Sequence, residues 1–116
     1  MKKGSNQELD ELIEEITTDA YGEEEQLWAF RQAFEDDLRV PCAATIVGQP
    51  VQVMKFDYAG DDHRGLTATC TRSDGSKYIV SIVDVVMAAG SNEEKYVAAY
   101  CRCMGIKPQR RSKPKR

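Results

Sequence analysis

With 116 residues, 41% of them hydrophobic and 30% charged, the chain has the size of one domain and the composition of a folded protein, which argues against both two domains and a disordered chain. No stretch approaches the roughly 18 consecutive apolar residues of a membrane span, and Met1-Lys2-Lys3-Gly4-Ser5 runs into acids without an apolar signal segment, so a cytoplasmic protein is expected. The net charge of -3 conceals a sharp asymmetry: twelve acids against one base, Arg31, between Glu8 and Asp37, then six bases and no acid from Lys107 to Arg116. The acidic half should reject nucleic acid, leaving only the basic end able to touch phosphates or the chain's own acids.

The first expected helix spans about 6–19. Leu9, Leu12, Ile13, Ile16 and Ala20 recur at helical spacing, and Ser5 stands three residues before Glu8 as a capping box. After a break at Tyr21-Gly22, Leu27, Phe30, Phe34 and Leu38 mark one face of a second helix ending before Pro41. From Cys42 the period becomes strand-like. Cys42 to Val47 leads to a Gly48-Gln49-Pro50 turn, and Val51, Val53, Phe56 and Tyr58 switch face in a way that predicts a bulge between Gln52 and Lys55. Leu66, Ala68 and Cys70 alternate with Thr67, Thr69 and Thr71 as a half-buried strand, Ser73-Asp74-Gly75-Ser76 supplies a hairpin turn, and Lys77 to Ile82 returns.

A last helix opens with the capping box Ser91 to Glu94, carries Tyr96, Val97, Tyr100, Cys101 and Met104 on one face, and stops at Gly105. The expected architecture is therefore α+β: two N-terminal helices (about 6–38), a small antiparallel SH3-like barrel of four or five strands (about 42–87), and one C-terminal helix (about 92–104). These elements make a single domain over 1–105, with 106–116 as a disordered basic tail.

Catalytic chemistry is thinly supplied, so the chain is expected not to be an enzyme. His63, the single histidine, lies in the polar loop Gly60-Asp61-Asp62-His63-Arg64-Gly65 and reads as a solvated turn residue. Cys70 falls on the core side of its strand, and the four cysteines lack the dense spacing of a disulfide scaffold, so they are expected reduced. Cys101 and Cys103 point about 200° apart on a helix, which argues against zinc.

Helix position separates the acids into two kinds. Glu23, Glu24 and Glu25 fall in the first turn of the second helix, where the macrodipole stabilises each by about 0.3 to 1 kcal/mol. Glu35, Asp36 and Asp37 crowd the last turn, where the same dipole opposes them, and a bound dication would reverse that sign. Consecutive helical carboxylates diverge, so a shared ion would need the turn to unwind, freeing backbone carbonyls as further hard oxygen ligands for calcium. Asp61 and Asp62, in the loop beginning Asp57-x-x-Gly60, form a second candidate, though not an EF-hand, since the twelfth position from Asp57 is Ala68. A solvated acidic surface balanced by Arg39 and Arg64 accounts for the same residues.

The stretch from Glu14 to Trp28, with its Asp19-Ala20-Tyr21 motif, followed by Val40-Pro41-Cys42-Ala43-Ala44, resembles the small acidic calcium-binding proteins of cyanobacteria. The resemblance covers about a third of the chain. It implies helices leading through a proline-containing segment into an SH3-like barrel, with a non-catalytic calcium-buffering or calcium-responsive role. This chain departs from the pattern at Trp28-Ala29-Phe30 and at Cys42, where the family has further aromatics; the acids are untouched. Calcium is the expected partner, through Glu35, Asp36, Asp37, Asp61 and Asp62, and an SH3-like module for a protein or nucleic-acid partner is the alternative.

Overall fold

The computed structural model describes residues 6–58 and 65–106. The Ser5 cap, the loop residues Asp61, Asp62 and His63, and the basic tail lie outside them. Two helices, α1 (Asn6–Ile16) and α2 (Glu23–Asp37), are followed by strands β1 (Cys42–Ile46), β2 (Gln49–Tyr58), β3 (Leu66–Thr71) and β4 (Lys77–Ser81). A 3-10 turn (Ile82–Asp84), strand β5 (Val86–Met87) and helix α3 (Asn92–Met104) complete the order. No helix among the described residues is long and apolar enough to cross a membrane.

Helix α1 ends at Ile16, three residues short of Asp19, and its terminal carbonyls are satisfied in part by side chains: Thr17 Oγ1 donates to the Ile13 carbonyl at 2.7 Å, beside the Thr17 amide at 2.9 Å, and Thr18 Oγ1 to that of Glu14 at 2.9 Å. Helix α3 begins as expected, with Ser91 Oγ accepting from the Glu94 amide at 3.1 Å. The Glu94 carboxylate reaches back one residue further than a standard capping box, accepting from the Gly90 amide at 2.7 Å.

All strand pairings are antiparallel, in the order β4-β3-β2-β1-β5, and the predicted bulge falls between Val53 and Lys55. The expected SH3-like barrel is not closed. β4 and β5 lie at opposite edges, and no ladder joins them among the described residues. Laid flat, the four intervening spacings would separate them by about 19 Å. The link from Ser81 to Val86, with its 3-10 turn, spans only about 13 Å, so the sheet must curl. It stops short of closure because that turn interrupts the edge and β5 is two residues long.

The curled sheet and the helices enclose one core. Leu27, Phe30 and Phe34 of α2 meet Val53, Phe56 and Tyr58 of β2, while Val97, Ala99, Tyr100 and Cys101 enter from α3. Thr67 departs from the expected alternation: it is only 5% exposed, and its hydroxyl donates to the Asp57 carbonyl at 3.4 Å.

Candidate functional site

Helix α2 distributes its acids between two ends with different local chemistry. At the N-terminal end Glu25 accepts from the Tyr21 amide at 2.8 Å, so it serves as a local cap beside Glu23 and Glu24. At the opposite end no base lies in the last turn, and each of the three acids is satisfied by a different neighbour. Glu35 Oε1 pairs with Arg31 Nη1 at 2.9 Å, both Asp36 oxygens accept from Gln32 Nε2 at 3.1 Å, and Asp37 Oδ2 accepts from the Tyr96 hydroxyl at 2.9 Å. Two of these are one-turn helical pairs, each offsetting the unfavourable dipole by a few tenths of a kcal/mol. Burial and the Asp37 hydrogen bond push the Tyr96 phenol up to about 12, so it stays a donor over the ordinary pH range.

The unwinding that a shared ion would need at this turn is not seen. Leu38 still donates its amide to the Phe34 carbonyl at 3.2 Å, and α2 is helical through Asp37. Its three carboxylates therefore diverge, and among the described residues no three His, Cys, Asp or Glu side chains are gathered as a ready metal cage.

What the structure does bring together is the helix end and the base of the acidic loop. Arg31 Nε stands 3.4 Å from Asp57 Oδ1 while its Nη1 holds Glu35, so one guanidinium spans the two elements. Asp57 is the penultimate residue of β2 and stands three positions before Gly60 in the sequence that continues to Asp61 and Asp62. The Tyr58 amide holds the Asp57 carboxyl below the usual carboxylate range, with Lys55, 3.8 Å away, and Arg31 adding to the effect. Over this pair lies the single tryptophan. Trp28 is 46% exposed, packs edge-on against Tyr58 with ring centres 5.1 Å apart, and has the Arg31 guanidinium carbon 5.9 Å from its own ring centre. Trp28 lies one position past Leu27 of the buried stripe, which places its ring at the edge of the core. Arg31 showed only as the lone base in an acidic run, and Asp57, 26 positions on, only as the start of the candidate loop; their pairing had no local signal.

The far end of the loop is pinned as well. Leu66 donates its amide to the Tyr100 hydroxyl at 3.1 Å, inside the core. Gly65 has φ +61, and a Cβ there would overlap that hydroxyl. Gly65→Ala is therefore expected to destabilise the fold by about 2 kcal/mol in chemical denaturation, through a left-handed alanine and an overpacked contact. A loss under about 0.5 kcal/mol would show that the loop is not anchored on Tyr100.

The thiols offer little nucleophilic character. Burial pushes Cys42 up to about 11, with Glu93 and Cys70 contributing, and burial alone pushes Cys101 up to about 11. All four cysteines are free; Cys70 and Cys101 are buried, while Cys42 and Cys103 are partly so. A groove of about 710 Å³ between α1 and the start of α3 contains Glu8, Leu9, Ser91 and Lys95 but none of the candidate ligands. Its opposite charges already meet, with Lys95 Nζ 3.8 Å from Glu8 Oε2.

No protein-family model matches the chain, and no curated protein sequence matches it. Two solved structures share its fold. The crystal structure of Anabaena CcbP superposes with a TM-score of 0.69 at 16% identity, covering 89% of this chain and 95% of that one. A structure described as a calcium binding protein in the calcium-binding form gives 0.68 at 17% identity, covering 92% and 99%. At such identities the likeness establishes the common architecture of helices and sheet.

Proposed function

We propose that this chain is a non-catalytic calcium-binding protein that buffers or responds to the ion through Glu35, Asp36 and Asp37 at the end of α2, together with Asp61 and Asp62, which lie between β2 and β3 in the sequence. The observation that carries this reading is the meeting of the acidic helix end with Asp57, at the base of that segment, across a single guanidinium. The donor chemistry fits: Glu35, Asp36 and Asp37 are exposed carboxylates, the hard, negatively charged oxygens calcium prefers, and because they diverge on the wound helix, a shared ion would draw them together by opening the last turn of α2, which also frees backbone carbonyls. A dication here also answers the one electrostatic fault of α2, three acids at the negative end of its dipole. Sharing a fold with a protein described as calcium binding agrees with this reading.

Calorimetric titration tests the ligand assignment. The parent should bind calcium, and the double variant Asp36→Asn, Asp37→Asn should bind at least about tenfold more weakly, because two formal charges leave the site while its shape is kept. A double variant that titrates like the parent would contradict the assignment.

A further inference from the structure

We infer that Arg31 is a built-in competitor for the proposed calcium site: its guanidinium pairs with Glu35 of the α2 end and with Asp57 of β2 when the ion is absent and must give up Glu35 when it arrives. The inference rests on the calcium reading above and assigns a residue that sets its affinity. Arg31 is the one base among twelve acids from Glu8 to Asp37, yet it does not point away into solvent. Its side chain is three-quarters buried against the domain, with Nη1 2.9 Å from Glu35 Oε1 and Nε 3.4 Å from Asp57 Oδ1. A single positive charge thus already pairs with one proposed ligand, Glu35, and with the neighbouring Asp57, and a dication entering there meets both its repulsion and the need to break the Glu35 pair. Lys55, 3.8 Å from Asp57, is a second cation at this acid among the described residues; at 62% side-chain exposure it is far better screened by solvent.

The same geometry supplies a reporter. Because the guanidinium carbon lies 5.9 Å from the Trp28 ring centre, loss of the Glu35 pair moves a charge beside the single tryptophan. Calcium should therefore change Trp28 emission, and the change should need Arg31.

The test compares the parent with Arg31→Gln and Arg31→Lys by calcium calorimetry and tryptophan fluorescence, with circular dichroism confirming that each is folded. Arg31→Gln should bind calcium on the order of fivefold to tenfold more tightly, since a unit charge within about 8 Å of a dication opposes it by that factor even in water. It should also lose most of the calcium-dependent emission change. Arg31→Lys keeps the charge and should stay within about threefold of the parent. If Arg31→Gln binds with parental or weaker affinity while the parent binds calcium, this inference is overturned and the calcium site stands. If the parent shows no calcium binding, both fall.

Discussion

Replacing Phe34 by alanine is expected to destabilise the protein by about 3 to 5 kcal/mol, the range for emptying a fully buried phenylalanine site. Phe34 is inaccessible to solvent and stands where three elements meet. Its ring is edge-on to Phe56 of β2 at 5.2 Å, Tyr96 of α3 at 5.9 Å, Tyr100 of α3 at 6.4 Å and Phe30 of its own helix at 6.5 Å. Such aromatic pairs contribute about 0.5 to 1.5 kcal/mol beyond burial, and no single neighbour can collapse into the space without abandoning another. Against a total stability of about 5 to 15 kcal/mol the loss is severe, and the melting temperature should fall by about 10 °C or more. Phe34→Leu, which retains most of the apolar volume, should lose less than half as much. Urea denaturation of both variants checks this. An alanine variant within about 1 kcal/mol of the parent would mean that α2 is not seated on β2 and α3 as described. The backbone carbonyl of Phe34 also accepts from the Leu38 amide, closing the turn that carries Glu35, Asp36 and Asp37.

The elements legible in the sequence were those written in local patterns. Leu27, Phe30 and Phe34 at helical spacing gave α2, the change of face after Val53 gave the bulge, and Ser91 with Glu94 gave the start of α3. Closure of the sheet was not local: whether β4 meets β5 depends on a 3-10 turn and a two-residue strand, both too short to leave a period. For the site, the unfavourable placement of Glu35, Asp36 and Asp37 could be read from the helix dipole, but their partners could not. Tyr96 reaches Asp37 across 59 positions, and Arg31 reaches Asp57 across a strand boundary; tertiary packing creates both pairs. The wound helix end likewise reflects satisfied side chains, since the Arg31 and Gln32 pairs hold two acids in helical geometry, whereas a shared ion would need the turn to unwind.

Calcium should raise the thermal stability of the folded chain, because an ion that binds only the native state adds RT ln(1 + [L]/Kd), about 2.7 kcal/mol at a hundredfold excess over Kd. For a domain near this size that corresponds to a rise of roughly 10 °C in the melting temperature. Magnesium at equal concentration should do less, as it demands tighter geometry and releases its waters reluctantly. Simple screening of the twelve acids between Glu8 and Asp37 would respond to any salt alike. The double variant Asp36→Asn, Asp37→Asn should melt slightly higher than the parent without calcium, since two acids leave the negative end of the α2 dipole while an asparagine oxygen can still accept from Tyr96. It should gain little when calcium is added. The most direct measurement is the melt of the parent in calcium against sodium chloride of matched ionic strength: a calcium-specific rise of about 10 °C is expected, and equal shifts in the two salts would contradict the calcium-binding account.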